Sequence, residues 1–227
     1  MLMRHDASIN DIMERLDSVV GSSGFGFGYE SCAPPGASPT LSVRDCLEAL
    51  QRSKSLGWTG FADDDFDPEE YAHFDNPLNA DLHELVPGKL LAMPCPRQLD
   101  SPTGWEDCFV QGRFHHRRFS PAYCADILAQ FDTSLCVRLG MPSYGREALE
   151  GTGLKLLDLF CEDGDAPDRA AVDRLLAAVE AEAGAVALQS EGRPGHAAAL
   201  AGAYMVWRHG FTGRQAAAWL RIVRPGR

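Results

Sequence analysis

The chain has 227 residues, which is enough for one well-formed core or for one domain with part of a second. Hydrophobic residues make up 45% and charged residues 23%, as in ordinary soluble globular proteins. The formal net charge of −11 argues against nucleic acid or an anionic membrane as the main partner, because phosphate groups repel an acidic surface.

The first forty residues are predicted to form a flexible N-terminal tail. A short helix is expected around Ile9–Val20, where apolar residues recur at helical spacing. Residues 21–40 are rich in Gly, Ser and Pro and do not have the pattern of a packed element. We therefore interpret them as a linker.

An amphipathic helix is predicted next, over Leu41–Leu56, and Gly57 would end it. The acidic stretch Asp63–Glu70 is interpreted as a solvated loop that leads into a short helix. Pro87-Gly88 then interrupts the chain and is taken as the boundary of the main domain.

From residue 88 onward, short apolar runs alternate with helical patterns. This alternation predicts an α/β domain with a largely parallel central sheet. The predicted strands are Lys89–Met93, Ser134–Leu139, Leu154–Phe160 and Ala185–Gln189, and the predicted helices are Pro121–Phe131, Pro167–Ala183, His196–His209 and a last one that opens on Thr212 and ends before Pro225. Thr212 and Gln215 have the spacing of a capping box.

The loop Ser190–Gly195 is the candidate site. It follows a buried strand and opens a helix, and ligands of such sheets lie beyond the carboxyl ends of the strands. The amides and the dipole of a helix N-terminus attract an anion.

Cysteine spacing excludes two common site types. The seven cysteines are scattered, and no C-x-x-C pair occurs among them. We therefore expect neither a disulfide framework nor a zinc site, but buried thiols in a reducing compartment. We also expect no other metal site and no cofactor. The N-terminal residues meet a charge before any apolar run develops, so neither a signal peptide nor a membrane span is expected.

Several segments together resemble one enzyme family. Val186–Gly226 resembles the end of the catalytic domain of the mitotic-exit dual-specificity phosphatases, the cell-division-cycle-fourteen family, where the strand, loop and helix read roughly VAVHCKAGLGRTG. Asp158–Gly164 resembles the family's DLFFADG, Phe66–Pro96 resembles the segment between its two domains, and Val137-Arg138-Leu139 matches a strand. The likeness extends over about Leu41–Gly226, although the HC-x5-R signature is absent.

The resemblance implies a three-layer cysteine-phosphatase fold, α/β with a mostly parallel sheet flanked by helices. The family has two tandem domains of this fold. We therefore expect residues 41–87 to be a helix and linker left from the first domain and residues 88–227 to be the dual-specificity phosphatase-like domain.

Two catalytic positions of the family carry other residues in this chain. By the resemblance, Ser190 occupies the position of the nucleophilic cysteine and His196 that of the phosphate-binding arginine, while Gln189 replaces a histidine. A thiolate is a strong nucleophile whose pKa falls at a helix N-terminus, whereas a serine hydroxyl needs an adjacent base. A histidine also lacks the planar fork with which arginine holds phosphate.

The rest of the loop adds to these defects. Pro194 has no N–H to donate to a phosphate, and Glu191 brings a negative charge. Arg193 could compensate only by folding back from the middle of the loop. With Gly192 and Gly195, these residues complete the predicted phosphate-type loop, residues 189–196.

Asp163 aligns with the family's general acid and is unchanged. An Asp-Gly pair that forms a turn after a strand explains this residue without catalysis, and we favour that interpretation. Other candidates are weaker. Ser190 lacks the first glycine of a hydrolase nucleophile elbow, His115-His116 beside Arg117-Arg118 is interpreted as a polar surface patch, and Trp207 and Trp219 as core or interface residues.

The leading hypothesis is a catalytically inactive phosphatase-like protein, in the cytoplasm or nucleus, that acts as a scaffold or binds a basic or phosphorylated protein partner. One alternative is an active phosphatase that uses Ser190 or another group with Asp163. The other is a purely structural subunit of an assembly.

Overall fold

The structure is a computed structural model that describes residues 7–20, 41–59, 66–149, 151–160, 166–190 and 194–225. The chain divides into two compact units. One consists of Met1–Asp67 and Met205–Arg227, and the other of Pro68–Tyr204. The predicted loop residues Glu191–Arg193, the predicted linker 21–40 and Asp163 lie outside the described residues.

The unit Pro68–Tyr204 is built on a five-stranded sheet. In spatial order its strands are β1 (His83–Val86), β2 (Leu90–Pro94), β7 (Ala185–Ser190), β5 (Thr133–Arg138) and β6 (Lys155–Asp158). β1 pairs antiparallel with β2, and every other pairing in this sheet is parallel. The predicted fold class, an α/β domain with a mostly parallel sheet flanked by helices, is confirmed.

Burial explains why the strands form where the apolar runs are. β7 lies between β2 and β5, and all six of its residues are buried. Strands of a parallel sheet have both faces covered, so they read as continuous apolar runs. The core of this unit is formed mainly by side chains of β2, β5, β7 and the helix after Ser120, among them Leu91, Met93, Leu128, Cys136 and Ala187.

The helices of this unit begin at recognisable caps. α3 spans Pro68–Asp75, α4 Pro121–Ala129, α5 Arg169–Ala181 and α6 Pro194–His209. The side chains of Ser120 and Asp168 accept the backbone N–H groups of Tyr123 and Ala171, which satisfies donors that a helix start leaves unpaired. The predicted helices are confirmed, with ends that differ by a few residues.

Sequence analysis missed a second, two-stranded sheet. β3 (Trp105–Val110) and β4 (Arg113–Phe119) pair antiparallel through a tight turn at Gln111-Gly112, where both residues have positive φ. β1 was also missed. Its register with β2 shifts between Glu84 and Val86, and its buried His83 lies 3.3 Å from carboxylate oxygens of Asp75 and Asp81.

The other unit contains α1 (Ile9–Val20), α2 (Val43–Ser55) and α7 (Gly213–Val223). Ile9 and Ile12 of α1 pack with Leu47 and Leu50 of α2. The boundary between the two units falls within α6, so the domain limits drawn at residues 40 and 87 stay a prediction.

Polar contacts join α2 to α7 within this unit. Asp45 forms a capping box with Ser42 at the start of α2, and both of its carboxylate oxygens accept bonds from Arg214, at 2.8 and 2.6 Å. Thr212 and Gln215 form the predicted capping box of α7. Trp58 stacks on Phe211 and contacts Trp219, which is only 2% exposed. Trp219 is therefore a core residue, as predicted.

Among the described helices, none is long and apolar enough to cross a bilayer.

Candidate functional site

The candidate site lies at the carboxyl end of β7. Gln189 and Ser190 are the last two residues of that strand, opposite Met93 and Pro94 of β2. The ladder continues one step further, because the N–H of Cys95 donates to the carbonyl of Ser190 at 3.1 Å. Ser190 is thus held in the sheet and not in the loop to which we assigned it.

The loop is shorter than predicted at its other end as well. Pro194, Gly195 and His196 already belong to α6. Proline suits the first turn of a helix, since its missing N–H would have no partner within the helix and its φ is already helical. Only residues 191–193 separate the strand from the helix.

The predicted site residues fall into two groups. Ser190 and His196 flank the three residues between strand and helix, and both are largely buried, at 9% and 8% exposed. The remaining members of the predicted constellation, Glu191, Gly192, Arg193 and Asp163, lie outside the described residues. Their roles stay predictions.

Gln189 is fixed by a neutral hydrogen bond. The hydroxyl of Tyr144 donates to Oε1 of Gln189 at 2.7 Å, and both side chains are buried. A glutamine side chain carries no charge and does not titrate near neutral pH. The residue before Ser190 therefore has a structural partner and no acid–base group.

An ion pair lies beside Gln189 at the same edge of the sheet. Arg138 is opposite Gln189 on β5, and Asp158 is opposite Arg138 on β6. The Nε and Nη2 atoms of Arg138 lie 2.7 and 2.6 Å from Oδ1 of Asp158. Nη1 of Arg138 donates to the carbonyl of Tyr144, and its guanidinium lies 4.7 Å from the centre of the Tyr144 ring.

More arginines surround Asp158 from the solvent side. Arg146 has Nη2 at 3.8 Å from Oδ2 of Asp158, and Arg174 donates to the Asp158 carbonyl at 3.1 Å. Sequence analysis missed Tyr144, Arg138 and Asp158 as site residues. Charged residues at the carboxyl ends of two strands were the available signal, because parallel neighbours bring those ends together.

Cys95 is the thiol that the sheet brings next to Ser190. Its Sγ lies 3.1 Å from the hydroxyl of Ser143, which in turn donates to the Pro96 carbonyl at 2.7 Å. Burial raises the pKa of the Cys95 thiol above its ordinary value. Burial also raises the pKa of Cys136 to about 12. Both groups are neutral thiols at neutral pH, and a neutral thiol is a poor nucleophile.

The histidine pair His115-His116 lies on β4, in the separate two-stranded sheet. Their rings meet edge to face, with Nδ1 atoms 2.7 Å apart, although adjacent residues of a regular strand point to opposite faces. The shift in register between β3 and β4 near Cys108 accounts for this. Within the described residues, no three His, Cys, Asp or Glu side chains gather as metal ligands.

Trp207 was predicted to be a core or interface residue. It lies on α6 and is 56% exposed, so it is not a core residue.

The chain is similar to known phosphatases over most of its length. It is 30% identical over 187 residues to the dual specificity protein phosphatase CDC14AB of Danio rerio, an alignment that covers 82% of this chain and 28% of that protein. It is 26% identical over 199 residues to the tyrosine-protein phosphatase cdc-14 of Caenorhabditis elegans, with 88% and 26% covered. Human CDC14A is 28% identical over 186 residues, with 82% and 29% covered.

Solved structures of phosphatases align with about two thirds of the chain. Tk-PTP in its active form matches with a TM-score of 0.48 and 17% identity, covering 64% of this chain and 85% of that one. Human DUSP28 matches with a TM-score of 0.44 and 20% identity, covering 63% and 81%. No protein-family model matches the chain.

The chain spans little more than a quarter of the length of these three curated relatives. The likeness nevertheless covers 82–88% of the chain itself. The chain is a relative of the CDC14-type dual-specificity phosphatases.

Proposed function

We propose that this protein is a catalytically inactive phosphatase-like protein that acts as a scaffold or as a binding module for phosphorylated proteins. By the resemblance, Ser190 stands at the position of the family's nucleophilic cysteine. The observation that supports the proposal is that Ser190 ends the central strand β7 just before α6 begins. The chain keeps the order of strand, loop and helix, but the side chain at this position ends in a hydroxyl group instead of a thiol.

The chemistry of the surrounding groups supports the loss of turnover. A serine nucleophile needs a base beside it. On the sheet side the neighbouring polar group is Gln189, which is neutral and bonded to Tyr144. Loss of a nucleophile lowers the rate of other enzymes by factors on the order of 10⁶.

Other groups do not supply a substitute. The thiol of Cys95 is next to the Ser190 backbone, but its pKa is raised and its Sγ already contacts Ser143. Arg138 is engaged by Asp158 and by the Tyr144 carbonyl. The Cys95 thiol and the Arg138 guanidinium are therefore both engaged by groups of the chain itself, which supports the proposed loss of catalysis.

Phosphate binding is weakened rather than abolished in this proposal. α6 has 16 residues, so its dipole and the amides of its first turn still favour an anion beside Ser190. Pro194 removes one donor, and His196 replaces an arginine that would form two parallel bonds. We therefore propose weak capture of a phosphorylated side chain.

The partner would be a protein that is basic or phosphorylated. A basic partner would suit the net charge of −11, and a phosphorylated one would suit the N-terminus of α6. The site of action would be the cytoplasm or nucleus. These assignments rest on the charge of the chain and on the resemblance.

A thermal-shift titration tests the binding part of the proposal. The purified protein is titrated with tungstate, vanadate and phosphate, since a ligand that binds only the folded state raises the melting temperature. A small rise is expected for the wild type and a larger one for Pro194→Leu/His196→Arg, which restores a donor and the fork. If neither protein responds to any oxyanion, the phosphoprotein-binding function is wrong.

An active phosphatase is the competing function, because Ser190 and the N-terminus of α6 keep the geometry of a strand, a turn and an anion-attracting helix. Turnover of a small aryl phosphate discriminates the two. No rate above that of buffer is expected for the wild type, and a rate abolished by Ser190→Ala would establish the competing function.

A further inference from the structure

The β3–β4 hairpin has two faces of different character, and the register of its strands assigns each side chain to one of them. Residues directly opposite each other in an antiparallel pair lie on the same face. One face carries the pairs Trp105–Phe119, Asp107–Arg117 and Phe109–Phe114, and the other carries Glu106–Arg118, Cys108–His116 and Val110–Arg113. Arg113 and Arg118 therefore share a face that does not contain the aromatic rings.

The face with the aromatic rings is turned toward the protein at its inner end. Phe119 is 4% exposed and belongs to the core, and Trp105 packs against that core. Arg117 on the same face bonds both carboxylate oxygens of Asp107, at 2.6 and 3.0 Å, and the Leu78 carbonyl at 2.9 Å. The opposite face of the hairpin is therefore the one that points away from the core.

A β-bulge adds a second histidine to this outward face. Cys108 and Phe109 are adjacent on β3, whereas their partners on β4 are two residues apart. His115 is the extra residue, and its ring meets that of His116 edge to face with the Nδ1 atoms 2.7 Å apart. A bulge takes a side chain out of the normal alternation. Both imidazoles therefore lie on the outward face, although they are adjacent in sequence.

Arg113, His115, His116 and Arg118 form what we name the basic face of the hairpin. Arg113 and His115 are exposed, and His116 and Arg118 are half-buried. Glu106 opposes Arg118 at the inner end. Two arginines against one carboxylate give this face a charge of +1 with both imidazoles neutral, and +3 with both protonated, in a chain whose net charge is −11.

The positive groups of the basic face act on one another. Burial lowers the pKa of His116, and the charges of His115, Arg118 and Arg97 lower it further. Arg97 lies before β3, and its N–H donates to the Phe119 carbonyl at 2.9 Å. The charged or titratable groups around the two imidazoles are Arg97, Glu106, Cys108, Arg113 and Arg118. A positive potential that disfavours a proton on His116 favours an anion at the same place.

We propose that the basic face of the hairpin is a docking surface for an acidic segment of a partner protein that binds in an extended conformation. The positions of Arg113, His116 and Arg118 follow one another at two steps of the ladder, since they oppose residues 110, 108 and 106 of β3. Two residues of extended chain span about 7 Å, and their side chains lie on the same side. Carboxylates at alternate positions of the partner therefore match the spacing of the cations.

The charge of the rest of the molecule selects a short segment over a large polyanion. At physiological ionic strength the Debye length is about 8 Å, so a short segment on the basic face is exposed mainly to the charge of that face. A duplex or an anionic bilayer would also present its phosphates to much of the acidic surface and be repelled by it.

Fluorescence anisotropy on the full chain, with a labelled peptide of four Glu-Ser repeats, tests this surface. We expect saturable binding that weakens as salt is added. Arg113→Gln/Arg118→Gln should weaken binding by at least about tenfold, the effect of roughly 1.4 kcal/mol, and Arg113→Lys/Arg118→Lys should retain most of it. Arg169→Gln is the control, because Arg169 is an exposed arginine outside the hairpin, and it should leave the affinity unchanged.

The pH dependence of binding tests the two histidines. Carboxylates bound beside His116 oppose the charges that lower its pKa, so binding takes up a proton. The affinity should therefore rise as the pH falls from about 7.5 to about 6, where imidazoles gain protons and the peptide stays ionised. His115→Asn/His116→Asn should remove this dependence. His73→Asn, a change at an exposed histidine of α3, should retain it.

A peptide of the same composition with four consecutive glutamates tests the spacing. It should bind more weakly, because only alternate side chains of an extended segment face the protein. The proposal would be overturned by no binding of the Glu-Ser peptide, by binding that the Gln variant does not weaken, or by equal binding of the two peptides. Tighter hairpin-dependent binding of anionic vesicles or duplex DNA would also overturn it.

Circular dichroism of each variant checks that it is folded. No residue of the basic face belongs to the site at the end of β7, so failure here would leave the proposed phosphatase-like function untouched.

Discussion

The carboxyl edge of the central sheet and the β3–β4 hairpin both carry arginines and aromatic side chains, but they use them in opposite ways. At the sheet edge, Arg138 is 4% exposed and bonded to Asp158 and Tyr144. On the hairpin, Arg113, Phe109 and Phe114 are all exposed. The first region satisfies its polar groups within the chain, and the second leaves an arginine and two aromatic rings in contact with water.

This difference bears on where function is located. A site that binds and turns over an anion needs cations and donors that are free when the ligand arrives. The sheet edge keeps the framework of such a site, but its buried cation is already paired. The hairpin instead leaves Arg113, Phe109 and Phe114 exposed.

The largest effect is expected from Arg138→Ala. The substitution removes the short ion pair with Asp158 and opens space among buried residues, so we expect a loss of about 3 kcal/mol in the free energy of unfolding, measured in urea by circular dichroism. Arg146→Ala is the control, because Arg146 is 66% exposed and lies 3.8 Å from the same carboxylate. Equal losses would show that the edge is not organised around Arg138.

Asp45→Asn tests whether a closed ion pair also stabilises the other unit. Hydrogen bonds from Arg214 hold the pKa of Asp45 far below its ordinary value, against the opposing effect of burial. We expect the substitution to lower the free energy of unfolding at neutral pH by about 2 kcal/mol.

The pH dependence gives a second readout for Asp45. The folded-state pKa is depressed, so the stabilisation is fully present above the unfolded pKa of about 3.9 and is lost as the pH falls below it. In Asp45→Asn, the free energy of unfolding should therefore fall less steeply than in the wild type as the pH is lowered below about 3.9. Asp173→Asn, in the exposed pair with Arg169, should change neither stability nor slope, and an effect there equal to that of Asp45→Asn would contradict the account.

Tyr144→Phe should have a moderate effect. It removes the hydroxyl that donates to Gln189 and leaves a buried amide oxygen without that partner, at an expected 1–2 kcal/mol, about the desolvation penalty of one group. Tyr123→Phe is a matched change on α4, where the described structure shows no bond to the hydroxyl. A thermal melt of both variants that shows the same shift would rule out a structural role for the Gln189 bond.

The smallest effect on stability is expected at the open region. Phe109→Ser and Arg113→Glu replace exposed side chains, so each should change the free energy of unfolding by less than about 0.5 kcal/mol. Urea unfolding is the measurement. A loss as large as that of Arg138→Ala would mean that the hairpin tip is part of the core, and that the contrast between the two regions is wrong.

Local signals predicted the elements that depend on burial and capping. β2 and β7 are nearly continuous apolar runs, β5 and β6 contain shorter ones, and α4 and α7 start at the side-chain caps that their sequences predict. β4 was missed because RFHHRRF has neither an apolar run nor clean alternation. Its formation depends on pairing with β3 and on the Arg117–Asp107 bond.

The candidate site was predictable only where neighbours in sequence define it. The strand, turn and helix around Ser190 follow from an apolar run and an alanine-rich segment. The partners Tyr144, Arg138 and Asp158 come from three separate segments, and only the order of strands in the sheet brings them to Gln189. No local sequence pattern specifies which strands lie next to each other or which residues face each other across them.

Release of the alcohol from a small aryl phosphate, measured for the wild type beside Ser190→Ala and Cys95→Ala, tests the central claim most directly. All three purified proteins are expected to match the buffer blank across the neutral pH range, because no base bonds the Ser190 hydroxyl among the described residues and the Cys95 thiol is protonated. Turnover by the wild type that either substitution abolishes would contradict it and show that the site still performs catalysis.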